Sequence, residues 1–449
     1  MTGKQHVHHP RACLLTLGCA KNLVDSEQIA SMLESRGVEV THRLESCNVA
    51  VVNTCGFIEP AKEESIEVIL EVAGRKAAGD LQTLIVTGCL SQRYGGELEK
   101  ALPEVDVFTG IDPAAAACAV LDALGLSSSD LPGGVSLRHR RFTPPAWAYL
   151  RISHGCDNRC AYCTIPLIRG PLRSRDPARI LDEARYLAEQ GVREVNVIGQ
   201  DTAAYGTDRP DGPRLHELLR GLCRIDALKW VRLLYAHPAH VGDELVEVLG
   251  SEDKVCKYLD IPLQHVNDRI LGRMGRGIGR AQVEKLIDRL RRKIPELTLR
   301  TTLLVGFPGE TEGEFSELLD FVRAVRFDRL GCFAYWPEEG TRAAEMPDQL
   351  PEDVRQARRD EVMAAQQEIA FELAAERAGE RCEVLMEEGE PLEDALLPAR
   401  SRKEAPDVDP LIYVEAPAPE AGRFVTVEIT GSIGYDCIAH TVPEDGGGQ

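Results

Sequence analysis

The chain has 449 residues, of which 43% are hydrophobic and 28% are charged. This composition excludes a collagen-like chain, a coiled-coil rod and wholesale disorder, and no apolar run reaches the roughly 18 residues that a membrane helix needs. The net charge of −20 argues against an unaided grip on nucleic acid phosphates. The length predicts about three domains.

Cysteine is unusually frequent, with 14 residues. In a long chain, clustered cysteines indicate metal binding or catalysis, whereas disulfide frameworks belong to small secreted domains. The apolar stretch 12–17 is too short for a secretory signal. We therefore expect a cytoplasmic protein.

The first part of the chain alternates between predicted strands and helices, which is typical of a parallel α/β sheet. We predict strands over 12–17, 49–53 and 81–87, and helices over 26–35 and 65–72. A cysteine with a neighbouring glycine follows each predicted strand: Cys19, Cys55 and Cys89. Because ligands bind beyond the carboxyl ends of such strands, three thiols are expected to meet at one sheet edge.

A polar segment rich in Gly and Pro, 127–145, predicts a linker between a first domain over 11–126 and a second over 146–376. Strands of the second domain are predicted over 149–152, 194–198, 230–234, 258–261, 299–305 and 329–334. Helices are predicted over 177–190, 215–223, 281–293 and 312–324. Six strands with intervening helices predict a partial or full β/α barrel.

The C-terminal part begins with a long charged helix, predicted over about 352–380. Residues 379–445 then form a third predicted domain, in which 423–429 alternates between apolar and polar side chains. Such alternation is typical of an antiparallel sheet with one solvated face. We predict a small antiparallel β-barrel there.

The strongest chemical signal is a CxxxCxxC motif formed by Cys156, Cys160 and Cys163, directly after the predicted strand 149–152. Cysteine thiolates are the usual ligands of iron–sulfur clusters. Three ligands would leave one iron of a four-iron cluster open to a small chelating ligand. A zinc site with His154 as the fourth ligand is the alternative.

This motif, with Tyr162 before its last cysteine, resembles the radical S-adenosylmethionine (SAM) signature. The resemblance implies that the methionine part of SAM chelates the open iron. Cleavage of SAM would then give a 5′-deoxyadenosyl radical. Tyr162 would then lie near the cluster or the adenine, unless it is an ordinary core aromatic. Gln200 and Asp201, at the end of a predicted barrel strand, are candidates for a cofactor or substrate contact.

The segments Leu17–Glu27 and Val52–Ile58 resemble the N-terminal domain of the methylthiotransferases, and Thr87–Leu90 completes its cysteine set. This resemblance implies that Cys19, Cys55 and Cys89 hold a second [4Fe-4S] cluster, whose open iron carries the sulfur to be inserted. From the spacing alone, three buried structural thiols are an equally good interpretation.

Within this family the chain resembles the RimO-like group, which modifies an aspartate of ribosomal protein S-twelve (uS12). The segments that favour this group are 18–27, 53–65, 198–202 and 258–265. The implied reaction uses two molecules of SAM to place a methylthio group on the β-carbon of the aspartate. A MiaB-like enzyme, which modifies an adenosine in tRNA, and a non-enzymatic iron–sulfur carrier are the alternatives.

The predicted C-terminal barrel resembles a TRAM domain, which binds RNA in many relatives. Residues 379–445 contain 16 acidic and 5 basic residues, a net charge of −11. This negative charge would repel the phosphate backbone of RNA and attract a basic protein. The alternative interpretation is an acidic face that only keeps the domain soluble. We expect uS12, free or in the small subunit, and an electron donor as partners, with no direct RNA grip by this domain and no membrane.

Overall fold

The structure is a computed structural model that describes residues 10–129, 131, 138–392 and 396–442. The predicted linker 127–145 and the end of the predicted third domain lie partly outside these ranges. Two compact units are present: one contains the chain up to Phe142 together with Thr164–Pro171, and the other contains Thr143–Cys163 and the chain from Leu172. Among the described residues, every helix is either too short or too polar to span a bilayer.

The first unit contains an open parallel sheet in the order β2-β1-β3-β4-β5. Its strands are β1 (Arg11–Thr16), β2 (Glu39–Thr41), β3 (Val49–Thr54), β4 (Thr83–Gly88) and β5 (Val107–Phe108). Its first helices are α1 (Ala20–Glu34), α2 (Glu59–Ala77), α3 (Cys89–Ala101) and α4 (Pro113–Ala123). Val51 packs in an apolar core on one face of the sheet and Val52 in a core on the other. Helices therefore cover both faces, as a parallel sheet requires.

Both helices predicted for this unit begin earlier than expected. Helix α1 begins at Ala20 rather than at residue 26, and α2 begins at Glu59 rather than at residue 65. The first turns of α1 bury polar side chains, including Asn22 and Asp25. An apolar repeat cannot reveal such a segment. The short edge strands β2 and β5 were also not predicted.

The second unit contains a six-stranded parallel sheet whose spatial order follows the chain. Its strands are β6 (Trp147–Arg151), β9 (Glu194–Ile198), β10 (Trp230–Leu233), β11 (Val255–Asp260), β12 (Thr298–Val305) and β13 (Arg329–Ala334). The short strands β7 (Ser153–His154) and β8 (Arg173–Ser174) pair separately. Strands β6 and β13 are the two edges of the sheet, so the predicted barrel is a partial one.

Helices lie between most of these strands. They are α6 (Pro177–Glu189), α7 (Leu215–Cys223), α8 (Asp243–Ser251), α9 (Asp268–Met274), α10 (Arg280–Lys293) and α11 (Glu312–Val325). The six predicted strands are confirmed within three residues at each end. Helices α8 and α9 were not predicted. The short helix α5 (Ile165–Arg169) belongs to the first unit.

Helix α12 (Glu352–Glu376) leads into a closed five-stranded barrel and ends four residues earlier than predicted. The barrel strands are β14 (Arg381–Met386), β15 (Leu396–Ser401), β16 (Ile412–Glu415), β17 (Phe424–Ile433) and β18 (Asp436–Thr441). Four neighbouring pairs are antiparallel, but β16 and β18 run parallel. The predicted barrel is confirmed, and its strictly antiparallel pairing is corrected by this one pair.

Buried polar contacts attach this barrel to the six-stranded sheet. Glu194 accepts hydrogen bonds from Arg232 Nε (2.9 Å) and from Arg400 Nη2 of β15 (2.8 Å), and all three side chains are buried. Tyr258 Oη of β11 donates to Asp409 (2.7 Å). Because Glu194 is the first residue of β9, the C-terminal barrel contacts the amino edge of the sheet.

Candidate functional site

The three cysteines of the first unit follow three adjacent parallel strands. Cys55 and Cys89 come directly after β3 and β4, and Cys19 lies three residues after β1. Burial, together with the charges of Cys19 and Cys89, raises the pKa of the Cys55 thiol to about 11. The three thiols therefore lie close enough to interact at the carboxyl edge of the sheet.

The glycines beside these cysteines leave no room for a side chain. A Cβ on Gly56 would lie 2.7 Å from the Cα and N atoms of Leu90, and one on Gly18 would lie 2.8 Å from Cys55 Cβ. Gly88 has φ +99°, and a Cβ added there would clash with Asn53 Oδ1. The cysteine loops thus approach one another as closely as backbone allows.

Buried polar side chains lie beside Cys89. Asn22 Nδ2 donates to the carbonyls of Leu17 and Thr54, both at 2.9 Å, and so ties two of the cysteine loops together. Arg169 Nη2 donates to Asn22 Oδ1 (2.8 Å) and to Cys89 Sγ (3.4 Å). The contact of Arg169 with Cys89 could be found only from the fold.

The CxxxCxxC motif lies on the loop after β7 in the second unit. Two hydrogen bonds hold this loop: Ala161 N donates to Met274 O (2.8 Å), and Ala343 N donates to Ala161 O (2.9 Å). The thiols of Cys156, Cys160 and Cys163 are all partly exposed. Burial raises the pKa of Cys156 to about 11. The loop therefore presents three accessible thiols at the carboxyl side of β6.

Arg276 is a cation within hydrogen-bonding distance of a thiol of this motif. Its Nη1 atom is 3.3 Å from Cys160 Sγ and 3.3 Å from Tyr162 Oη. Burial raises the pKa of Tyr162 well above its usual range, whereas the charge of Arg276 lowers it. The structure thus places Tyr162 beside Cys160, and its role toward SAM stays a prediction.

Asp201 joins three loops at this edge of the sheet. Its Oδ2 atom accepts from Asn158 Nδ2 in the motif (2.8 Å) and from His240 Nδ1 (2.6 Å), and its Oδ1 accepts from His237 N (3.1 Å). The hydrogen bond to Asp201 raises the pKa of His240, and burial lowers that of His237 to about 3. Asp201 therefore fixes the motif loop to the loops after β9 and β10.

Asp201, His237 and His240 could also form a metal site, because their possible ligand atoms lie within 4.8 Å of one another. However, His237 Nδ1 accepts a hydrogen bond from Ala239 N (3.2 Å). The neutral ring then carries its proton on Nε2 and has no lone pair for a metal. The cluster is better described as a polar support for the motif loop.

Gln200 lies directly before Asp201. Its Oε1 atom is buried and has no hydrogen-bond partner among the described residues. Buried polar atoms are almost always paired in native proteins, so this oxygen fits a donor group on a bound ligand. The predicted cofactor contact of Gln200 remains a prediction that this observation supports.

Arg276, His237 and His240 were not predicted as site residues from the sequence. They lie far from the motif in the chain, on loops after other strands of the same sheet. The only available signal was topological, since parallel strands bring their carboxyl ends to one edge.

Comparison with curated proteins gives full-length matches. The ribosomal protein uS12 methylthiotransferase RimO of Syntrophotalea carbinolica is 43% identical over 453 aligned residues, which cover 99% of this chain and 99% of that protein. The proteins of the same name from Anaeromyxobacter sp. and Myxococcus xanthus are 46% and 45% identical. They cover 97% and 96% of this chain, and the alignments cover 94% and 91% of their own lengths. The chain belongs to the RimO family.

Family models match three parts of this RimO-family chain. The radical SAM superfamily matches residues 150–322, the uncharacterized protein family UPF0004 matches 11–110, and the TRAM domain matches 378–442. The radical SAM chemistry and the methylthiotransferase class expected from the cysteine motifs are confirmed at the level of the family.

The fold is also similar to solved radical SAM structures. The methyltransferase TsrM from Kitasatospora setae, with cobalamin and a [4Fe-4S] cluster bound, aligns with a TM-score of 0.54 at 17% identity and covers 75% of this chain and 77% of its own. The cobalamin-dependent enzyme OxsB aligns with a TM-score of 0.51 at 13% identity, over 80% of this chain and 57% of its own. At these identities the likeness shows the fold alone.

Proposed function

We propose that this chain transfers a methylthio group to the β-carbon of an aspartate in uS12, using SAM and two [4Fe-4S] clusters. The observation that carries the proposal is a set of three cysteines at the carboxyl edge of the parallel sheet in each unit. A single thiol set would serve a radical SAM enzyme, but insertion of a sulfur-containing group needs a second place that holds sulfur.

The residues present fit these groups. Cys156, Cys160 and Cys163 would hold the cluster that binds SAM, and Cys19, Cys55 and Cys89 would hold the other cluster. When bound, these groups supply a 5′-deoxyadenosyl radical and a sulfur atom that accepts a methyl group. Thiolates are the ligands that iron–sulfur clusters use, and each set would leave one iron for a further ligand.

The side chains of this protein orient the groups rather than react. Arg276 donates toward Cys160 Sγ, and Asp201 holds Asn158 of the motif loop. Gln200 Oε1 would accept a hydrogen bond from the cofactor. An electron donor outside the chain must supply the electrons for SAM cleavage.

The C-terminal barrel supports a protein substrate over tRNA, because most of its few basic side chains are already engaged. Arg400 is buried against Glu194, Lys403 pairs with Glu380 (3.0 Å), and Arg381 pairs with Glu428 (2.8 Å). Little positive charge is left for phosphates, and the excess of carboxylates attracts a basic protein. We therefore propose uS12 as the partner of this domain, and the cytoplasm, where ribosomal proteins reside, as the location.

Two cysteine variants test the assignment of the clusters. Cys160→Ala should abolish SAM cleavage and leave the iron of the first unit in place. Cys55→Ala should keep cleavage but stop methylthio transfer to uS12. Release of 5′-deoxyadenosine and the mass of uS12 are the two readouts, and Cys118→Ala, which alters a half-buried thiol of α4, is the matched control.

Cleavage that survives in Cys160→Ala would contradict the radical SAM assignment. Transfer that survives in Cys55→Ala would remove the second cluster from the reaction. A wild-type chain that binds iron but releases no 5′-deoxyadenosine would favour the iron–sulfur carrier.

A further inference from the structure

Arg169 makes an unusual contact within the first unit. It is the last residue of α5, and one guanidinium nitrogen, Nη2, lies 3.4 Å from Cys89 Sγ, 2.8 Å from Asn22 Oδ1 and 3.0 Å from Asp25 Oδ2. Only 3% of Arg169 and 7% of Cys89 are exposed to solvent. An arginine charge is thus fixed beside a proposed cluster ligand, away from water.

Stability alone does not account for this arrangement. Taking an arginine and an aspartate out of water costs several kcal/mol per ion, and a packed apolar pair of similar volume is often at least as stable. The ion pair of Arg169 and Asp25 is almost fully buried, with 2% and 7% of the side chains exposed. What the pair achieves is a guanidinium held at one orientation toward the sulfur of Cys89.

The physical effect of such a donor on a cluster has a definite sign. Reduction adds negative charge to a cluster, and that charge is shared by its cysteine sulfurs. A hydrogen bond or a positive charge at a ligand sulfur stabilises the reduced form and raises the reduction potential. A neighbouring carboxylate has the opposite effect, and low solvent exposure strengthens both.

We propose that Arg169 is a positioning residue of the first unit, which orients Cys89 and raises the reduction potential of a cluster held by Cys19, Cys55 and Cys89. Asp25 holds the guanidinium in place and limits the size of this effect. The inference rests on the proposed function, because it requires a cluster at these three cysteines.

The test is a reduction-potential titration of the full-length chain, followed by electron paramagnetic resonance. The parent carries Cys156→Ala, Cys160→Ala and Cys163→Ala, so that any remaining cluster belongs to the first unit. In this parent, Arg169→Met should lower the midpoint potential and Asp25→Asn should raise it. Arg169→Lys, which keeps the charge but lacks the planar fork, should lie between Arg169→Met and the parent.

Arg36→Met is the matched control, because it removes the same charge near the opposite end of α1 from Cys19. It should leave the potential unchanged. A purely structural role of Arg169 would leave the potential of Arg169→Met equal to that of the parent, and this result would overturn the inference. If Arg169→Met loads no cluster, Arg169→Lys decides, because its potential should still lie below that of the parent.

Iron and sulfide content distinguish this inference from the proposed function. A parent that binds a cluster whose potential is unchanged by substitution of Arg169 contradicts only the role of Arg169. A parent that binds no cluster after anaerobic reconstitution contradicts the second cluster itself and, with it, the inference.

Discussion

At the residue scale, Asp201 is the side chain on which the geometry of the motif loop depends. Both of its oxygens are used, and its partners come from the loops after β7 and β10. A carboxylate with this many donors cannot be replaced by an amide without loss, because Asn has only one oxygen.

Asp201→Asn should therefore lower the pKa of His240 toward its ordinary value of about 6.5. In the native protein the folded pKa of His240 is raised, so its protonated form stabilises the fold below that ordinary value. This contribution is lost as pH rises through the raised pKa. A histidine-labelled NMR titration of the variant should show the lower pKa, and SAM cleavage should fall.

The exposed substitution Asp182→Asn is the control and should change neither quantity. An unshifted His240 titration in Asp201→Asn would show that this carboxylate does not set the pKa.

The six cysteines were chosen as cluster ligands from the sequence alone, because the CxxxCxxC spacing and the cysteine after each of three predicted strands are recognisable, and this choice stays a prediction. Sequence analysis could not predict Arg169, whose partner Asn22 lies 147 residues away in the chain. Spacing identifies ligands on one loop, whereas a supporting residue is defined by packing between loops.

At the element scale, the carboxyl ends of three parallel strands decide whether the thiols of the first unit can meet. The strands that carry them, β1, β3 and β4, were all predicted, since their apolar runs are continuous. The first turns of α1 were missed because buried Asn22 and Asp25 break the apolar repeat. These same polar residues support the cysteine loops. The apolar repeat is therefore interrupted at the positions where the proposed cluster site uses polar side chains.

Gly56→Ala should disrupt the first site, because the new Cβ would lie 2.7 Å from backbone atoms of Leu90. Overpacking of this kind costs roughly 1–3 kcal/mol of stability and shifts the backbone. Iron bound by the parent that lacks the CxxxCxxC cysteines should fall, as measured by iron content per chain.

Gly74→Ala is the matched control, since nothing lies within 4 Å of the Cβ it would add to α2. It should leave iron content unchanged and raise the free energy of unfolding by roughly 0.5–1 kcal/mol. Full iron loading in Gly56→Ala would contradict the close approach of the cysteine loops.

At the scale of the whole molecule, sequence composition predicted an acidic C-terminal barrel but not the use of its basic residues. Arg400 points inward to Glu194, so the barrel is attached through charges rather than through an apolar face alone. Net charge can be counted from a sequence, whereas the burial of individual charges requires the fold.

Glu404 carries a second part of this attachment. Burial alone would raise its pKa, but the charges of Arg377 and Arg329 lower it to about 2. A lowered folded pKa stabilises the protein above the unfolded value, and this contribution is lost as pH falls toward 2. Glu404→Gln should cost about 3–5 kcal/mol at neutral pH, because it removes the buried carboxylate that Arg329 and Arg377 share.

Denaturant unfolding of Glu404→Gln and of the native protein, at pH 7 and at pH 4, measures the loss of stability and its dependence on pH. The variant should lose less stability than the native protein between these two values. Glu420→Gln, at an exposed position of the same domain, should behave like the native protein. Equal acid sensitivity of Glu404→Gln and the native protein would contradict the lowered pKa.

The central claim is methylthio transfer to uS12, and a paired turnover assay tests it most directly. Anaerobically reconstituted enzyme, reductant and SAM would be offered uS12 in one reaction and unmodified tRNA in the other, with mass spectrometry of both products. We predict one added methylthio group on an aspartate of uS12 and none on tRNA. A methylthio group on tRNA adenosine, with uS12 unchanged, would contradict the account.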